Sequence, residues 1–299
     1  MRVFVTGATG FIGSAVVREL IGAGHQVIGV YRDDDKAKAL AAAGAELYRG
    51  SIAEPDSLRE GAARSDGVIH LAFNHDFSRF VQNCEDDRRV IEGLGSALAR
   101  SDRPLIVTSG TAIANTVPGQ LATEDGAIVT SAAHPRAASE EQAAVVAAEG
   151  INVSVVRLPQ VHDTARQGLV SPAIEMYRAK GVCAYIGDGH NRWPAAAVLD
   201  VARLYRLAIE RAEPNAKYHA VAEEGISMRD IAETLGQRLK LPVKSVAPEE
   251  APAFFGWLAT LASLDMPASS AQTRKKLGWQ PTGPGLIADL ERLDLPKDH

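Results

Sequence analysis

Short apolar runs alternate with longer amphipathic stretches through the first half of the chain. "RVFVT", at residues 2–6, is β-branched, brief and ended by glycine, which predicts a buried strand. A helix over 11–23 follows, then a strand at "QVIGVY". The rhythm repeats. Helices are predicted around 34–43, 55–63, 79–100 and 137–148. They are interleaved with strands at "AELYRG", "GVIHLAF", "PLIVTS" and "INVSVVRL". Six strands spaced by helices predict right-handed βαβ units, and so an α/β architecture with a doubly wound parallel sheet.

After Pro159 the rhythm breaks. "CAYIGDGHNRWPAA" is loop-rich with short strands; 199–210 is a helix and "KYHAVA" one more strand. An amphipathic helix is predicted over 227–239, with Ser227 as its N-cap and Asp230 three positions on. Helices are also expected over 248–263, 269–277 and 286–293. "FFGWLATLASLDMP" is apolar at helical spacing, which predicts a core or subunit-interface helix before a lid and leaves room for a homodimer. The expected organisation is a first domain over 1–158, completed by about 195–222. A smaller substrate-binding region over 159–194 and 223–299 would sit over the strand ends, where ligands bind in open α/β sheets.

The strongest local signal is "TGATGFIG". Gly7, Gly10 and Gly13 follow a strand and open a helix. Gly7 allows a tight turn, Gly10 lets the backbone approach a pyrophosphate, and Gly13 lets the helix pack on the strand. Thr9, Phe11 and Ile12 complete the turn. The helix start then faces the anion with free N–H groups and partial positive charge. The pattern predicts the phosphate turn of a Rossmann dinucleotide site. At the end of the second strand, "GVYRDDD", a carboxylate would mark NAD; Tyr31 stands there with Arg32 next to it. A guanidinium suits a 2′-phosphate, so NADP is the expected cofactor, with NAD as the alternative. Asp33, Asp34 and Asp35 oppose this by lowering the local potential, and helix capping is the reading preferred for Asp33.

Composition narrows the classes. With 46% hydrophobic and 23% charged residues, the 299-residue chain has ordinary globular character. A net charge of -5 argues against nucleic acid or an anionic membrane as partner. Cys84 and Cys183 form no CxxC pattern and are expected to be free thiols in a reducing compartment. "MRVFVTG" enters a strand at once, and no apolar run reaches membrane-spanning length, so a cytoplasmic protein is expected. There is no HExxH or other tight metal-ligand cluster, no GxSxG elbow and no P-loop, so no metal is expected.

With these motifs the chain resembles the extended branch of the short-chain dehydrogenase/reductase superfamily, which includes NAD(P)-dependent sugar epimerases, dehydratases and reductases. "TGATGFIG" resembles its nucleotide motif. "GVIHLAF" looks like the fourth strand, where the resemblance places Leu71, Ala72 and Phe73 along the cofactor's ribose. "NCEDDRRVIEGL" puts Asn83 at the family's structural asparagine. "IVTSGTA" puts Ser109 at the catalytic serine/threonine, with Thr111 nearby. "VVRLPQVHD" puts Pro159 and Val161 beside the nicotinamide.

The family's working pair is Tyr-x-x-x-Lys on the fifth helix. Aligned on Ser139 in "PRAASEEQAAVVAAEG", the tyrosine position is Arg136 and the lysine position Glu140. No tyrosine occurs between Tyr48 and Tyr177. Arginine stays protonated and cannot shuttle a proton. Arg136 could bind an anionic substrate or pair with Glu140 at i+4. Three histidines could act instead. His134 lies two residues before Arg136; its alternative is a loop residue. His162 follows the sixth strand, facing the cleft, with Asp163 to orient it; its alternative is a polar loop residue. His75 and Asp76 follow the fourth strand, where helix capping is the alternative. Ser109 would polarise a substrate oxygen. "GHNRWP", with His190, Asn191, Arg192 and Trp193, could recognise a ring and an anion, although the chain departs from the sugar-nucleotide pattern around Pro194. The reading is an atypical NADP(H)-dependent oxidoreductase acting on a small carbonyl or alcohol. The alternatives are a non-catalytic NADP(H) sensor and an NAD-dependent sugar epimerase or dehydratase.

Overall fold

The alternating runs close into a seven-stranded, all-parallel sheet. The computed structural model describes residues 1–114, 117 and 119–295. Its first half runs β1 (Arg2–Thr6), α1 (Phe11–Gly22), β2 (Gln26–Tyr31), α2 (Asp34–Ala42), β3 (Glu46–Arg49), α3 (Pro55–Ala63), β4 (Gly67–His70), α4 (Phe80–Leu98), β5 (Leu105–Gly110), α5 (Ala138–Ala148) and β6 (Val153–Leu158). The second half runs β7 (Gln160–His162), α6 (Val170–Lys180), β8 (Cys183–Ile186), β9 (Arg192–Ala197), α7 (Val198–Arg211), β10 (Lys217–His219), β11 (Glu223–Ser227), α8 (Met228–Leu239), β12 (Val243–Val246), α9 (Ala251–Phe255), α10 (Ala259–Ala262), α11 (Ala271–Leu277) and α12 (Leu286–Glu291). The large sheet has the order β10-β6-β5-β4-β1-β2-β3. The chain winds outward to β3, then returns to β4 on the other side of β1. That reversal opens a crevice at the C-terminal ends of β1 and β4, the place where such sheets bind ligands.

The central strands are covered on both faces, which explains their unbroken apolar runs. Val3 and Val5 meet Val16, Leu20 and Leu204 of α1 and α7 on one face. Phe4 meets Leu58, Ile91 and Leu94 of α3 and α4 on the other. A second core gathers Tyr177, Trp193, Leu235, Phe255 and Leu286 around the parallel pair β8–β12 and the small sheet β11-β9-β7.

Ser227 caps α8 as expected, its hydroxyl accepting the Asp230 N–H at 3.0 Å. The helix expected over 248–263 is instead broken. Gly256 adopts φ +56°, and a 3-10 turn separates α9 from α10. β7, β11, β12 and α6 are not evident in the sequence pattern. The strands are short and pair with distant segments. Helix α6 carries Pro172, which a helix tolerates in its first turn. Among the described residues, no helix is long and apolar enough to cross a membrane.

Candidate active site

The three glycines do different work. Gly7 has φ +67°, and a Cβ there would lie 2.8 Å from the Ala72 nitrogen. A Cβ on Gly13 would lie 2.0 Å from the Gly7 carbonyl oxygen. Both positions are therefore demanded by the fold itself. Gly10 is extended, at φ -79° and ψ 176°, which any residue can adopt. A Cβ there would meet only the Gly7 oxygen, at 3.1 Å. The missing side chain leaves the start of α1 open. No side chain caps that helix and no acid stands in its first turn, so its leading N–H groups keep their anion-binding character. A cavity of about 210 Å³ runs along this end, bounded by Thr9, Gly10, Phe11, Ser14, Arg18 and Arg166. The Arg166 guanidinium lies 6.0 Å from the centre of the Phe11 ring. Arg18 and Arg166 are exposed and make no ion pair among the described residues. Both are additions to the residues chosen from sequence, since a lone surface arginine carries no pattern. Ile12 turns its side chain into the first core.

At the end of β2, Arg32 is exposed and also makes no ion pair among the described residues. The acids beside it are all engaged. Asp33 caps α2 by accepting the Asp35 N–H at 2.9 Å. Asp34 pairs with Arg49 at 3.0 Å and Asp35 with Lys38 at 2.7 Å. At the exit of β4, the Leu71 and Ala72 N–H groups both donate to the Thr6 hydroxyl at 3.1 Å. This holds the strand end against the glycine turn. Phe73, next in line, carries the Arg136 guanidinium 4.2 Å above its ring.

Arg136 is not free. Nη1 donates to Asp87 Oδ2 at 2.8 Å and also to the Ser139 hydroxyl, while Nη2 donates to the Thr108 carbonyl at 2.8 Å. Asp87 is the hub of this network. Its other oxygen meets His70 Nε2 at 3.0 Å, and the Ser139 hydroxyl donates to Oδ2 at 2.5 Å. The Thr6 hydroxyl already accepts two N–H groups, so its own proton goes to His70 Nδ1 at 2.7 Å, leaving Nε2–H to face Asp87. Burial pushes the Asp87 carboxyl up. The Arg136 guanidinium and the His70 and Ser139 hydrogen bonds overcome this and hold it far below the usual carboxylate range. Neither His70 nor Asp87 was singled out from sequence. The available signal was Asp87 on the buried stripe of α4, in step with Asn83, Val90, Ile91 and Leu94.

Of the two roles open to Arg136, the pair with Glu140 is not formed. Glu140 turns inward and holds Arg157 of β6 through two 2.8 Å bonds, to Nε and Nη2. Arg157 is fully buried and also reaches His219 Nε2 at 3.0 Å. Burial first, then the Arg157 charge, push the His219 pKa down to about 4. A buried guanidinium must be paired, and Glu140 is the carboxylate within reach of Arg157.

Ser109 lies at the C-terminal end of β5, buried, and its hydroxyl has no hydrogen-bond partner. His134 is half-buried; its Nδ1 accepts the Arg136 backbone N–H at 3.3 Å, which leaves Nε2–H as a donor. Burial lowers its pKa, and the nearby Arg136 cation lowers it further. His75 lies edge-on to Phe73, with ring centroids 5.4 Å apart. Asp76 caps the following turn by accepting the Ser78 N–H at 3.1 Å.

His162 does not face an open cleft. It is fully buried, and Nδ1 meets Asp289 of α12 at 2.7 Å. Asp163 lies just past the end of β7 and points elsewhere, accepting the Ala165 and Arg166 N–H groups of the turn that follows. Val161 is buried in the first core, and Pro159 is half-buried between β6 and β7. The "GHNRWP" residues also separate. His190 is exposed beside Asp188, Asn191 holds two backbone carbonyls, Arg192 forks onto Asp265 at 2.9 and 3.0 Å, and Trp193 fills the second core. They do not form one recognition loop.

The family model described as the NAD dependent epimerase/dehydratase family matches residues 3–222. The chain is 46% identical to the uncharacterized protein C2A9.02 of Schizosaccharomyces pombe, over 97% of this chain and 98% of that one. It is 40% identical to the uncharacterized protein YLL056C of Saccharomyces cerevisiae, again over 97% and 98%. Among solved structures, the dTDP-glucose 4,6-dehydratase DesIV of Streptomyces venezuelae, with NAD and TYD bound, superposes with a TM-score of 0.77 at 18% identity. The match covers 98% of this chain and 95% of that one, and it shows likeness of fold.

Proposed function

Because the chain belongs to the NAD dependent epimerase/dehydratase family, we propose that it is an NADP(H)-dependent oxidoreductase acting on a small carbonyl or alcohol. Family membership does not favour a sensor that only holds the dinucleotide. The open start of α1 fits a diphosphate, with Arg18 and Arg166 on its flank. Arg32 favours a 2′-phosphate, because the three acids beside it are already matched or capping.

The observation that carries the reaction is the Ser109 hydroxyl, a buried polar atom without a partner at the crevice end of β5. Leaving such a group unsatisfied is costly, and a substrate oxygen would satisfy it. The dinucleotide, when bound, supplies hydride chemistry. Ser109 Oγ–H and His134 Nε2–H polarise the substrate oxygen, and water delivers the proton. His134 works as a neutral donor, so its depressed pKa keeps it in the working form at neutral pH. Arg136 cannot replace the tyrosine as a proton shuttle. It positions His134 through its backbone N–H and disfavours the imidazolium through its charge.

The test is consumption of NADPH against a broad panel of carbonyls, with Ser109→Ala and His134→Phe alongside. Turnover that both variants lose while still binding NADPH supports this reading. Saturable NADPH binding with no turnover on any carbonyl overturns it.

A further inference from the structure

Phe, Trp and Tyr make up only 5% of the chain, yet four of them meet two histidine rings at the C-terminal ends of the parallel strands. Phe77, after β4, stacks on Trp257, from the turn between α9 and α10, with centroids 4.3 Å apart and planes at 13°. Phe80 lies 5.7 Å from Phe77 and 6.3 Å from Phe73. His75 bridges Phe73 and Phe77 at 5.4 and 6.2 Å. His134 meets Phe80 edge-on at 6.1 Å.

These rings are not core filling. None belongs to the hydrophobic clusters of the protein, and the Trp257 side is 51% exposed. They lie beside the reacting end of the crevice. Arg136, whose guanidinium covers Phe73, bonds the carbonyl of Thr108, the residue before Ser109. The wall therefore joins the exit of β4 to the C-terminal part of the chain.

Charge points the same way. A sugar nucleotide brings a diphosphate that needs unmatched cations. Arg136 already holds Asp87, and Arg192 already holds Asp265 through a forked pair. Arg79 is exposed and forms no ion pair among the described residues, a single cation against the two charges of a diphosphate.

We propose that the six rings form the substrate wall and that the substrate is a planar, uncharged carbonyl compound, an aromatic or conjugated aldehyde or ketone. This rests on the oxidoreductase reading above and names its substrate class. Aromatic rings take such a molecule by offset stacking or edge-to-face contact. The carbonyl carbon gains a hydride from the reduced dinucleotide and the oxygen gains a proton from water. The C=O π bond is replaced by C–H and O–H bonds, and NADPH leaves as NADP⁺.

The experiment uses the full chain loaded with NADP⁺, so that binding is seen without turnover. 2-Naphthaldehyde, hexanal, UDP-glucose and dTDP-glucose are titrated by calorimetry and by tryptophan fluorescence. Trp193 and Trp279 are buried, so a change in fluorescence reports Trp257. The expected result is saturable quenching by 2-naphthaldehyde, with affinity at least tenfold above that for hexanal or either sugar nucleotide. Trp257→Leu and Phe77→Leu should each weaken it by about tenfold while NADPH affinity and the melting temperature hold. Tighter binding of either sugar nucleotide, or variants that leave 2-naphthaldehyde affinity unchanged, overturns the proposal. Naphthaldehyde binding with no oxidation of added NADPH keeps the wall and overturns the oxidoreductase reading alone.

Discussion

The two ends of the crevice are built on opposite principles. At the glycine turn, side chains are missing, and bare backbone does the work. Around the start of α5, side chains are present in excess, and Arg136 is held by Asp87 and Glu140 by Arg157. The first end stays open to a ligand because nothing caps it. The second is filled by ion pairs that tie α5 and the turn before it to α4 and β6. A dinucleotide site can therefore persist in a protein whose proton chemistry is arranged differently, because the two ends share no residues.

The sharpest way to break this comparison lies within the turn itself. Gly13→Ala should yield no folded protein, because its Cβ would fall 2.0 Å from a backbone oxygen. Gly10→Val should fold, with a cooperative melt, and lose dinucleotide binding by calorimetry. Equal damage to folding from both would remove the distinction between structural and ligand-facing glycine.

Rebuilding the family pair tests the other end. Arg136→Tyr combined with Glu140→Lys removes the cation paired with Asp87 and the carboxylate paired with the buried Arg157. Breaking a buried pair from one side costs about 3–5 kcal/mol, so urea denaturation should show at least that loss. A double variant as stable as the parent would mean that these pairs do not lock the helix.

His134→Phe should lower kcat/KM about 10²–10³-fold, the worth of one oxyanion donor, with His134→Gln recovering part of it. The sign with pH follows from the neutral working form. The histidine pKa lies below its usual value of about 6.5, so activity should hold at neutral pH and fall as acid drives protonation. A rate that rises through that acid range would make His134 a proton donor instead.

The smallest effect sharpens the cofactor. Arg32→Ala should weaken NADPH by about 1.5–3 kcal/mol, the worth of a charge-assisted hydrogen bond, and leave NADH nearly unchanged in parallel titrations. Equal loss for both would withdraw the 2′-phosphate preference.

The sheet was legible because its signals are local. A buried strand writes itself as a β-branched run, and the glycine spacing after "RVFVT" records backbone clashes within a few residues. The side-chain arrangement of the site was legible only in part. His162 read as a cleft residue because Asp289, 127 positions away, is invisible beside it in sequence. The "GHNRWP" loop read as one recognition element, but its four side chains part to four different neighbours. Trp257 sat inside an apolar stretch that looked like one helix, until Gly256 breaks the stretch and turns the indole onto Phe77.

Thus the chain by itself determined the alternation of strands and helices from β1 to β6, the glycine turn and the lack of a tyrosine near position 136. Those follow from steric and periodic rules that act over a few residues. Only the tertiary structure decided which charges neutralise each other and which polar atoms are left waiting, Ser109 above all. A buried charge is settled by whichever partner folding brings within hydrogen-bond distance, and that distance is set by packing between segments far apart along the chain.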